Sequence, residues 1–535
     1  MISKADLPSE TEVVIVGAGP VGLVMANLLG LSRVATTLIE RNQRPYDIPR
    51  AITLDDEGCR TLQATGLDHI YLPKALPGKG ARYYGEDGTP FAEVGPGPIE
   101  FGFSRRTHFF QPDLEATLLS GLNRFCHVNV FYSCELMDII QTETNVTANV
   151  KDHSGKLKSL TCNYLVGTDG ARSRVRQKLG IKMLGDTYPE DWVIIDTLND
   201  PDDEPVSKFF CSREKPFVSI PAPNNGRRYE FRTHADENAE ALLKFDNIRE
   251  RLKPIREIKE KDILRATIYT FEAKIAEKWQ DRRIFLAGDA AHLTPPFAGQ
   301  GLNSGLRDAH NLAWKLSIAN NHKARDSFLT TYELERRAPA WAMIELAIAM
   351  GDIVMPRGGD DVSFRNSLVR WLERFPATRD FIVSMKFKPP PRYEMGAFIN
   401  LFSQPFAGSL VGEMLPQTPV RHLNCSSTRL DDVIGNNFAL IAQEEWMIKQ
   451  MVQKEKELWP ELKPKMIGIG KNLVDISDHV IRLVPTAEST LPKLRAHRDQ
   501  IILLRPDRYV AASFTQDEAA STVSQLRDIL WHRTK

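Results

Sequence analysis

The chain contains 535 residues, 42% of them hydrophobic and 26% charged, and 69 basic residues balance 69 acidic ones. This composition is typical of a globular protein of about three domains, and the charge balance argues against a nucleic-acid partner. No apolar run reaches the roughly 20 residues that a membrane span needs, and residues 1–12 lack the apolar core of a secretion signal. The 6 cysteines include no CxxC pair, so we expect reduced thiols, no metal site and a cytoplasmic location.

The first chemical motif lies near the start of the chain. Residues 13–16 form an apolar run that predicts a buried parallel strand, and Gly17, Gly19 and Gly22 follow it directly, before an apolar helical pattern. A second apolar run over residues 35–39 ends at Glu40, about 20 positions after Gly17. This order predicts a dinucleotide-binding βαβ unit, in which the glycines and the helix N-terminus bind a pyrophosphate and Glu40 binds a ribose diol.

The next segment alternates loops, helices and strands. We predict a loop over residues 45–56, helices over 57–65 and 111–124, and strands over 128–131, 146–150 and 160–166. The last of these strands ends in Gly167-Thr168-Asp169-Gly170. Between residues 188 and 270, short strand-like runs separated by Pro, Asn and Asp clusters indicate an inserted, mostly antiparallel sheet.

The rest of the chain returns to an α/β pattern. Residues 283–287 predict a buried strand, and a glycine-rich loop over 295–303 leads into helices over 302–320 and 325–350. After a boundary near residues 402–417, strands are predicted over 438–441, 466–469, 480–484 and 501–504, with helices over 443–456 and up to about His532. Thr515 and Glu518 have the spacing of a capping box. This alternation predicts a small domain of thioredoxin type, and without a CxxC pair we expect no dithiol chemistry from it.

Three turns in combination indicate a flavin. An aspartate at a strand end, as in Asp169-Gly170 and Gly288-Asp289, can bind sugar or ribityl hydroxyls. A glycine-rich helix start, as at residues 299–303, can stabilise the negative charge that the pyrimidine edge of a flavin gains on reduction. Each element has an ordinary alternative: Asp169-Gly170 alone is a common turn, Gly288-Asp289 a possible helix cap and His292 a packed histidine.

These motifs resemble those of the single-component FAD-dependent aromatic hydroxylases. The Gly17 turn, DGARSRVR at residues 169–176 and GDAAH at residues 288–292 are similar to the three fingerprints of that family. The resemblance is closest to the members that hydroxylate 3-(3-hydroxyphenyl)propionate, through PRAI at residues 49–52, Asp55-Asp56-Glu57, Gln111-Pro112 and the segments 311–316 and 505–510. It extends over nearly the whole chain.

The resemblance implies an α/β fold with three domains. A Rossmann-like FAD-binding domain, similar to that of para-hydroxybenzoate hydroxylase, would comprise residues 1–80, 104–185 and 280–400. An inserted antiparallel-sheet domain that binds substrate would comprise residues 81–103 and 186–279. A thioredoxin-like domain would comprise residues 410–535.

The resemblance also assigns roles along the FAD. Gly17, Gly19 and Gly22 would hold the pyrophosphate, Glu40 the adenosine ribose, Gln111 the ribityl side and Asp289 a ribityl hydroxyl. Arg50 would admit the nicotinamide donor, Asp169 would serve both nucleotides, and Pro295 would lie by the reactive flavin edge. The full set of implied FAD contacts is Gly17, Gly19, Pro20, Val21, Gly22, Glu40, Arg41, Arg50, Gln111, Asp169, Gly288, Asp289, Pro295, Gly299, Gly301, Leu302 and Asn303.

The implied reaction is a monooxygenation. Bound FAD would be reduced by NADH or NADPH, react with O2 to form a C4a-hydroperoxide, and hydroxylate an electron-rich phenol ortho to its hydroxyl group. The protein would supply a dry pocket and a fixed substrate pose. The partner would be a small aromatic molecule, with no membrane or nucleic-acid partner, and the protein would be a monomer or a homodimer.

Four residues are candidates for the chemistry: Asp55, Arg228, Tyr229 and Pro295. Arg228, Glu230 and Arg232 share one face of a predicted strand, whereas Tyr229 and Phe231 share the other. The sequence leaves open which face meets the substrate. An arginine there would suit a carboxylated substrate, but a solvated charged face is an equal alternative. Asp55 would lie near the substrate ring by resemblance, or would simply cap the helix predicted from Glu57.

Three rival functions remain at this point. A flavin oxidase or dehydrogenase would bind FAD without inserting oxygen into its product. A monooxygenase that acts on a bicyclic N-heteroaromatic, such as a hydroxyquinolone, is a second alternative, because the loop Pro296-Phe297-Ala298 departs from the bulkier, more polar residues of the propionate hydroxylases. A non-catalytic FAD-binding scaffold is disfavoured, since it needs no glycine-rich loop at the pyrimidine edge.

Overall fold

A computed structural model describes residues 6–234, 237–322, 324–355, 388–401, 408–422, 427–453, 459–470, 473, 477–486 and 492–531. Three large sheets and a small three-stranded sheet organise these residues. The α/β character matches the class predicted from the sequence. Within the described residues, no helix is both long enough and apolar enough to cross a membrane.

The central sheet carries the predicted βαβ unit. Its strands, in spatial order, are Gln280–Asp281, Ile284–Leu286, Leu157–Gly167, Glu10–Val16, Thr36–Ile39 and Val128–Phe131, with Val146–Lys151 and Glu135–Gln141 continuing from Leu157–Gly167. The four pairings among the five strands from Ile284–Leu286 to Val128–Phe131 are parallel. Because parallel strands end at one edge, the turns after residues 16, 167 and 286 lie side by side. The sequence pattern did not predict the strand Glu135–Gln141.

The second sheet is mostly antiparallel and borders the same edge. Its strands, in spatial order, are His292–Leu293, Ile263–Ala276, Met183–Thr197, Gly226–Arg232, Phe217–Ala222, Ser207–Phe210, Ala81–Tyr84 and Pro90–Val94. Strand Met183–Thr197 runs through the domain boundary predicted at residue 185, so one continuous strand joins the two units. A small third sheet consists of Thr53–Asp55, Arg106–His108 and Leu76–Pro77.

Helices pack on both sides of these sheets. Before the C-terminal domain they are Pro20–Leu31, Asp56–Ala64, Asp68–Tyr71, Gln111–Gly121, Arg174–Lys178, Ala239–Leu242, Phe245–Leu252, Gly301–His322 and Asp326–Val354. Short 3-10 turns cover Leu72–Lys74, Leu122–Arg124, Glu260–Asp262, Gly288–Ala290 and Pro296–Ala298. Helix Pro20–Leu31 is apolar nearly all round because it is covered by the sheet and by helix Gly301–His322.

The C-terminal part forms a mixed sheet of thioredoxin type. Its strands, in spatial order, are Ser427–Arg429, Pro419–Arg421, Ile481–Pro485, Lys465–Ile469, Ala439–Ala442, Ile501–Leu504 and Val510–Phe514. Its helices are Leu430–Ile434, Glu445–Gln453, Pro492–Ala496 and Ala519–Leu530. The backbone N–H of Thr515 donates to Glu518 at 2.8 Å, as in one half of a capping box. The predicted end of the helix over 443–456, the predicted helix end at His532, and Cys425, lie outside the described residues.

Buried ion pairs join this C-terminal part to the rest of the molecule. Arg505 forms two hydrogen bonds to Glu335, at 2.9 and 2.7 Å, and both side chains are fully buried. Arg60 likewise forms a two-pronged pair with Asp431, at 2.6 and 2.9 Å. A buried charge that loses its partner is expensive, so these pairs make the C-terminal sheet an integral part of the fold.

Candidate active site

Two connected cavities follow the edge where the parallel strands end. The large cavity, of about 290 Å³, lies between the glycine loop before helix Gly301–His322 and the second sheet. The small cavity, of about 160 Å³, lies between the Gly17 turn and Glu40. The cavities share lining residues, so they form one continuous cleft. The shared residues are Gly19, Pro20, Arg50, Gln111, Thr168 and Gly170.

The glycine turn at the start of this cleft fits a pyrophosphate. Gly17 has φ of 107°, and a Cβ there would collide with the carbonyl of Thr168. A Cβ on Gly22 would collide with the carbonyl of Gly17, so both positions require glycine for packing. Gly19 differs, because the space beside its Cα is open and faces both cavities. This is the cradle that a phosphate group occupies at a helix N-terminus, and Pro20 and Val21 begin that helix.

Glu40 lies at the far end of the small cavity. Its carboxylate accepts hydrogen bonds from the backbone N–H groups of Ala18 and Asn42, both at 2.9 Å. These bonds hold both oxygens at the strand end, where their remaining lone pairs can accept from a ribose diol. Arg41 lies beside it on the same cavity wall.

Gln111 lines both cavities and also holds the protein backbone. Its Oε1 accepts from the backbone N–H groups of Arg50 and Ala51, at 3.0 and 2.8 Å, and its Nε2 donates to Glu115 at 2.7 Å. The amide therefore clamps the loop that carries Arg50. One Nε2 hydrogen remains for a ligand, since a side-chain amide has two donors.

Asp169 has one satisfied and one unsatisfied oxygen. Its Oδ2 accepts from the N–H groups of Arg174 and Val175, at 2.6 and 3.1 Å, whereas Oδ1 is buried without a partner in the described residues. Burial raises the pKa of this carboxyl. The open oxygen fits a ligand hydroxyl, which is the use that the resemblance implies.

Asp308 holds the Gly288-Asp289 turn in place. Asp308 accepts from the N–H of Gly288 at 3.0 Å and contacts His292 Nε2 at 2.7 Å. His292 is fully buried, stacks on Trp279 and does not line either cavity, which matches the alternative of a packed histidine. Asp289 lines the large cavity, and burial raises the pKa of its carboxyl.

The glycine loop presents backbone to the large cavity. Gly299 has φ of 63° and, together with Gly301 and Leu302, lines the cavity at the start of the helix. The first N–H groups of a helix have no internal acceptor, so they can bind the pyrimidine edge of a flavin. Asn303 is buried and does not line the cavity, and its side chain bonds to the backbone of Thr53, Gly299 and Asp55. Pro295 is buried and is absent from the cavity wall, although Thr294 and Pro296 on either side line it.

Asp55 belongs to a buried charge cluster behind this loop. It caps helix Asp56–Ala64 by accepting from the N–H of Gly58 at 2.7 Å, and it pairs with Arg307 and with Lys388. Burial alone would raise its pKa, but the two cations hold the pKa below its usual range. The geometry favours the helix cap and does not support Asp55 as an acid beside the substrate ring.

The neighbours of Asp55 complete this cluster. Glu57 pairs with Arg307 at 2.7 Å and Lys388 at 2.9 Å, and burial raises the pKa of Asp56 to about 7. Three clustered carboxylates can hold a metal ion, but here two protein cations already compensate their charge. Arg307 also donates to Gln300 Oε1 at 3.2 Å. The cluster thus supports the glycine loop from the side opposite the cavity.

The second sheet presents its charged face to the large cavity. Arg228 and Glu230 line the cavity, with Ile194, Val218 and Ile220 on neighbouring strands. Tyr229 points to the opposite side, where its hydroxyl donates to Asp200 at 3.0 Å within an apolar cluster. The structure therefore corrects the prediction that Tyr229 contacts the substrate.

Arg228 is fully occupied by the protein. It bonds to Asp196 at 2.6 and 3.1 Å and donates to the carbonyl of Arg50 at 2.6 Å. Arg265 lies on strand Ile263–Ala276, on the other side of strand Met183–Thr197 from Arg228. Its Nη1 is 3.7 Å from Asp196 and has no hydrogen-bond partner among the described residues. Burial lowers the pKa of Arg265 and raises that of Glu230. On this face of the cavity wall, Arg228 is ion-paired with Asp196, whereas Arg265 Nη1 lacks a hydrogen bond. The other charged residues that line the cavity are Arg50, Arg106, Glu230, Glu272 and Asp289.

Aromatic side chains close the other side of the large cavity. Phe271 and Phe297 line it in an edge-to-face contact, with ring centres 5.3 Å apart, and Trp192 packs against both. Such a wall excludes water and suits a flat ring. It thereby provides the dry surroundings that a reactive flavin needs.

Sequence reasoning missed several residues that line the cleft. The main ones are Arg265, Tyr269, Glu272, Arg106, Glu115 and Tyr132. A weak signal existed for Arg265 and Tyr269, which fall in phase on strand Ile263–Ala276. The others had none, because only the pairing of distant segments brings them to the cleft.

Comparisons with known proteins agree with this geometry. Residues 10–347 match the FAD binding domain family, and residues 412–529 match the HcaD C-terminal domain family. The 3-(3-hydroxy-phenyl)propionate/3-hydroxycinnamic acid hydroxylase of Escherichia coli (strain SMS-3-5 / SECEC) is 35% identical over 525 residues, covering 97% of this chain and 94% of the relative. A hydroxylase of the same name from Paraburkholderia xenovorans (strain LB400) is 34% identical over 562 residues, covering 96% and 90%.

Solved structures share the fold. The flavin-dependent monooxygenase PieE, in complex with FAD and substrate, has a TM-score of 0.81 at 20% identity and covers 97% of this chain and 99% of its own. Aklavinone-11 hydroxylase, in a ternary complex with FAD and aklavinone, has a TM-score of 0.76 at 21% identity and covers 98% and 100%. The family match, the full-length relatives and the FAD-shaped cleft agree, and the chain belongs to the family of FAD-dependent aromatic hydroxylases.

Proposed function

We propose that this enzyme uses NAD(P)H and O2 to hydroxylate a small phenol that carries a carboxylate, ortho to the phenolic hydroxyl. The observation that carries the proposal is Arg265 Nη1 in the wall of the large cavity, which lies 3.7 Å from Asp196 and has no hydrogen-bond partner among the described residues. Of the two lining arginines on strands Gly226–Arg232 and Ile263–Ala276, Arg228 is neutralised by Asp196, and burial favours the neutral form of Glu230. One anionic group on the substrate would complete this charge balance.

The remaining walls support a single aromatic ring. Phe271 and Phe297 offer a flat apolar face on one side, and Ile194, Val218 and Ile220 offer a second apolar surface. The relatives from Escherichia coli and Paraburkholderia xenovorans are named for 3-(3-hydroxy-phenyl)propionate and 3-hydroxycinnamic acid, each a phenol with a carboxylate side chain. A phenolic hydroxyl makes its ortho position electron-rich, which favours attack there by an electrophilic oxygen.

FAD would supply the oxygen activation when it is bound and reduced, and the protein's own residues do the rest. Gly19, Glu40, Asp169 and Asp289 would bind its phosphate and hydroxyl groups. The first N–H groups of helix Gly301–His322 would stabilise negative charge on the pyrimidine edge. Because reduced nicotinamide nucleotides are cytoplasmic metabolites, we also propose that the enzyme acts there, as a monomer or homodimer.

One set of measurements tests the function. Purified enzyme is mixed with NADH or NADPH under ¹⁸O2, with 3-(3-hydroxyphenyl)propionate, its carboxamide, phenol or a hydroxyquinolone as the aromatic compound. We expect NAD(P)H oxidation to accelerate most with the carboxylate, and one ¹⁸O atom to appear in a catechol product. Acceleration without labelled product would indicate an oxidase. A preference for the neutral compounds would contradict the assignment of a carboxylated substrate.

A further inference from the structure

The small cavity is lined by two buried polar side chains that belong to none of the sequence motifs. Glu115, on helix Gln111–Gly121, is 4% exposed, and Tyr132, directly after strand Val128–Phe131, is 6% exposed. The hydroxyl of Tyr132 has no hydrogen-bond partner among the described residues. Burying a hydroxyl without a partner is costly, so this group indicates an acceptor that comes from a ligand.

The hydrogen bonds of Gln111 determine which oxygen of Glu115 is available. Gln111 Oε1 accepts from two backbone N–H groups, so its Nε2 must be the donor to Glu115 Oε1. Glu115 Oε1 is therefore an acceptor. The second oxygen, Oε2, receives no hydrogen bond within the described part of the chain. If Glu115 carries a proton, that proton belongs on Oε2, where it can be donated into the cavity.

The surroundings favour the protonated form. Burial raises the pKa of Glu115, the hydrogen bond from Gln111 and the charge of Arg50 lower it, and the charge of Glu40 raises it, with a net value of about 7. A pyrophosphate in the cradle at Gly19 would add negative charge and would engage Arg50, which lines both cavities. The charged groups that border the small cavity are Glu40, Arg41, Arg44, Arg50, Glu135, Asp169, Arg172 and Arg174.

We propose that Glu115 binds FAD as a neutral acid, donating a hydrogen bond from Oε2 to an oxygen of the adenosine diphosphate half, with Tyr132 donating a second. Above neutral pH the free protein has lost this proton, so FAD binding takes one proton up from solvent. The affinity for FAD consequently falls as the pH rises, while the affinity at lower pH is constant. This inference concerns the cofactor site alone and does not depend on which phenol the enzyme hydroxylates.

Titrating FAD into the full-length apoprotein tests the proposal. Flavin fluorescence gives Kd from pH 6 to 9, and calorimetry in buffers of different ionisation enthalpy gives the number of protons taken up. For the wild type we expect a constant Kd below about pH 7, a rise approaching tenfold per pH unit above it, and uptake of close to one proton at pH 8.5. Tyr132→Phe should weaken binding about tenfold at every pH and leave the slope unchanged, because it removes one hydrogen bond to the ligand.

Two Glu-to-Gln variants separate this role from general effects of charge. Glu115→Gln keeps a donor on the cavity side at every pH, so its Kd should stay near the low-pH wild-type value up to pH 9. Glu135→Gln removes a half-exposed carboxylate at the rim of the same cavity, where Glu135 pairs with Arg174, and should retain the wild-type slope. The proposal is overturned if the wild type takes up no proton at pH 8.5, a measurement that needs no variant. It is also overturned if Glu115→Gln keeps the wild-type pH dependence.

Discussion

Replacing Arg265 by methionine tests whether a substrate carboxylate completes the charge balance of the large cavity. The side chain of Arg265 is 12% exposed, and its Nη1 has no hydrogen-bond partner among the described residues. Arg265→Met keeps the apolar length of the side chain and removes only its charge and its donors. Because Arg228 remains paired with Asp196, the variant should fold as the wild type does.

The size of the effect follows from the kind of bond that is lost. A charge-assisted hydrogen bond in a partly buried site contributes about 1.5–3 kcal/mol, which corresponds to about a 10- to 150-fold change in kcat/KM. The loss should fall on the carboxylated phenol alone. The matching carboxamide, which presents no negative charge to Arg265, should be turned over equally well by wild type and variant. The assay is initial-rate NAD(P)H oxidation with product quantified by chromatography, for both enzymes and both substrates.

Arg228→Met is the matched control, on strand Gly226–Arg232, which pairs with the other edge of strand Met183–Thr197. It leaves Asp196 buried with a weaker partner, so we expect a lower melting temperature and a similar loss for both substrates. The reasoning is refuted if Arg265→Met reduces kcat/KM equally for the carboxylate and the carboxamide, since Arg265 would then act through the fold and not through the substrate charge.

Three further predictions concern the cofactor site and the fold. Gly19→Ala should leave the melting temperature of the apoprotein unchanged, because the space beside Gly19 is open, but should weaken FAD binding at least tenfold in a fluorescence titration; equal affinity would show that no phosphate lies there. Arg505→Met breaks a buried pair, which costs about 3–5 kcal/mol and, for a chain of this size, should lower the melting temperature by about 3–5 °C. As the control, Arg527→Met breaks an exposed pair with Glu461, in which the side chains are 39% and 44% exposed, and should lower the melting temperature by less than about 1 °C. Burial alone would raise the pKa of Glu335, but Arg505 and Lys315 lower it to about 2. The ionised carboxylate therefore stabilises the folded state fully above the unfolded pKa of about 4.3, and this contribution is lost as the pH falls toward 2. Calorimetric scans should therefore show the gap in melting temperature between wild type and Glu335→Gln narrowing from pH 5 to pH 3, and a constant gap would contradict the ion pair.

Local sequence determined the nucleotide turn and the elements around it. The strand Glu10–Val16, the turn through Gly17 and Gly22 and the acid Glu40 all follow from short-range rules. A buried apolar run predicts a parallel strand, and a glycine is required where a Cβ would strike a carbonyl. The positive φ of Gly17 and the contact of Gly22 with the carbonyl of Gly17 are local features, so they can be predicted without knowledge of the fold.

Long-range pairing decided which side chains meet the substrate. The alternation of Arg228 and Tyr229 predicted two faces, but only the pairing of strand Gly226–Arg232 with its neighbours shows that the Arg228 face lines the cavity. Asp55 had two alternatives, a helix cap and an implied active-site role. The hydrogen bond from Gly58 shows the cap, and the pairing with Lys388, more than 300 residues away, places Asp55 in a buried charge cluster. Arg265 became a candidate only when the structure showed that its Nη1 has no hydrogen-bond partner in the described part of the chain. The sequence shows which side chains are charged. Whether a charge is already neutralised depends on residues that only the folded chain brings into contact.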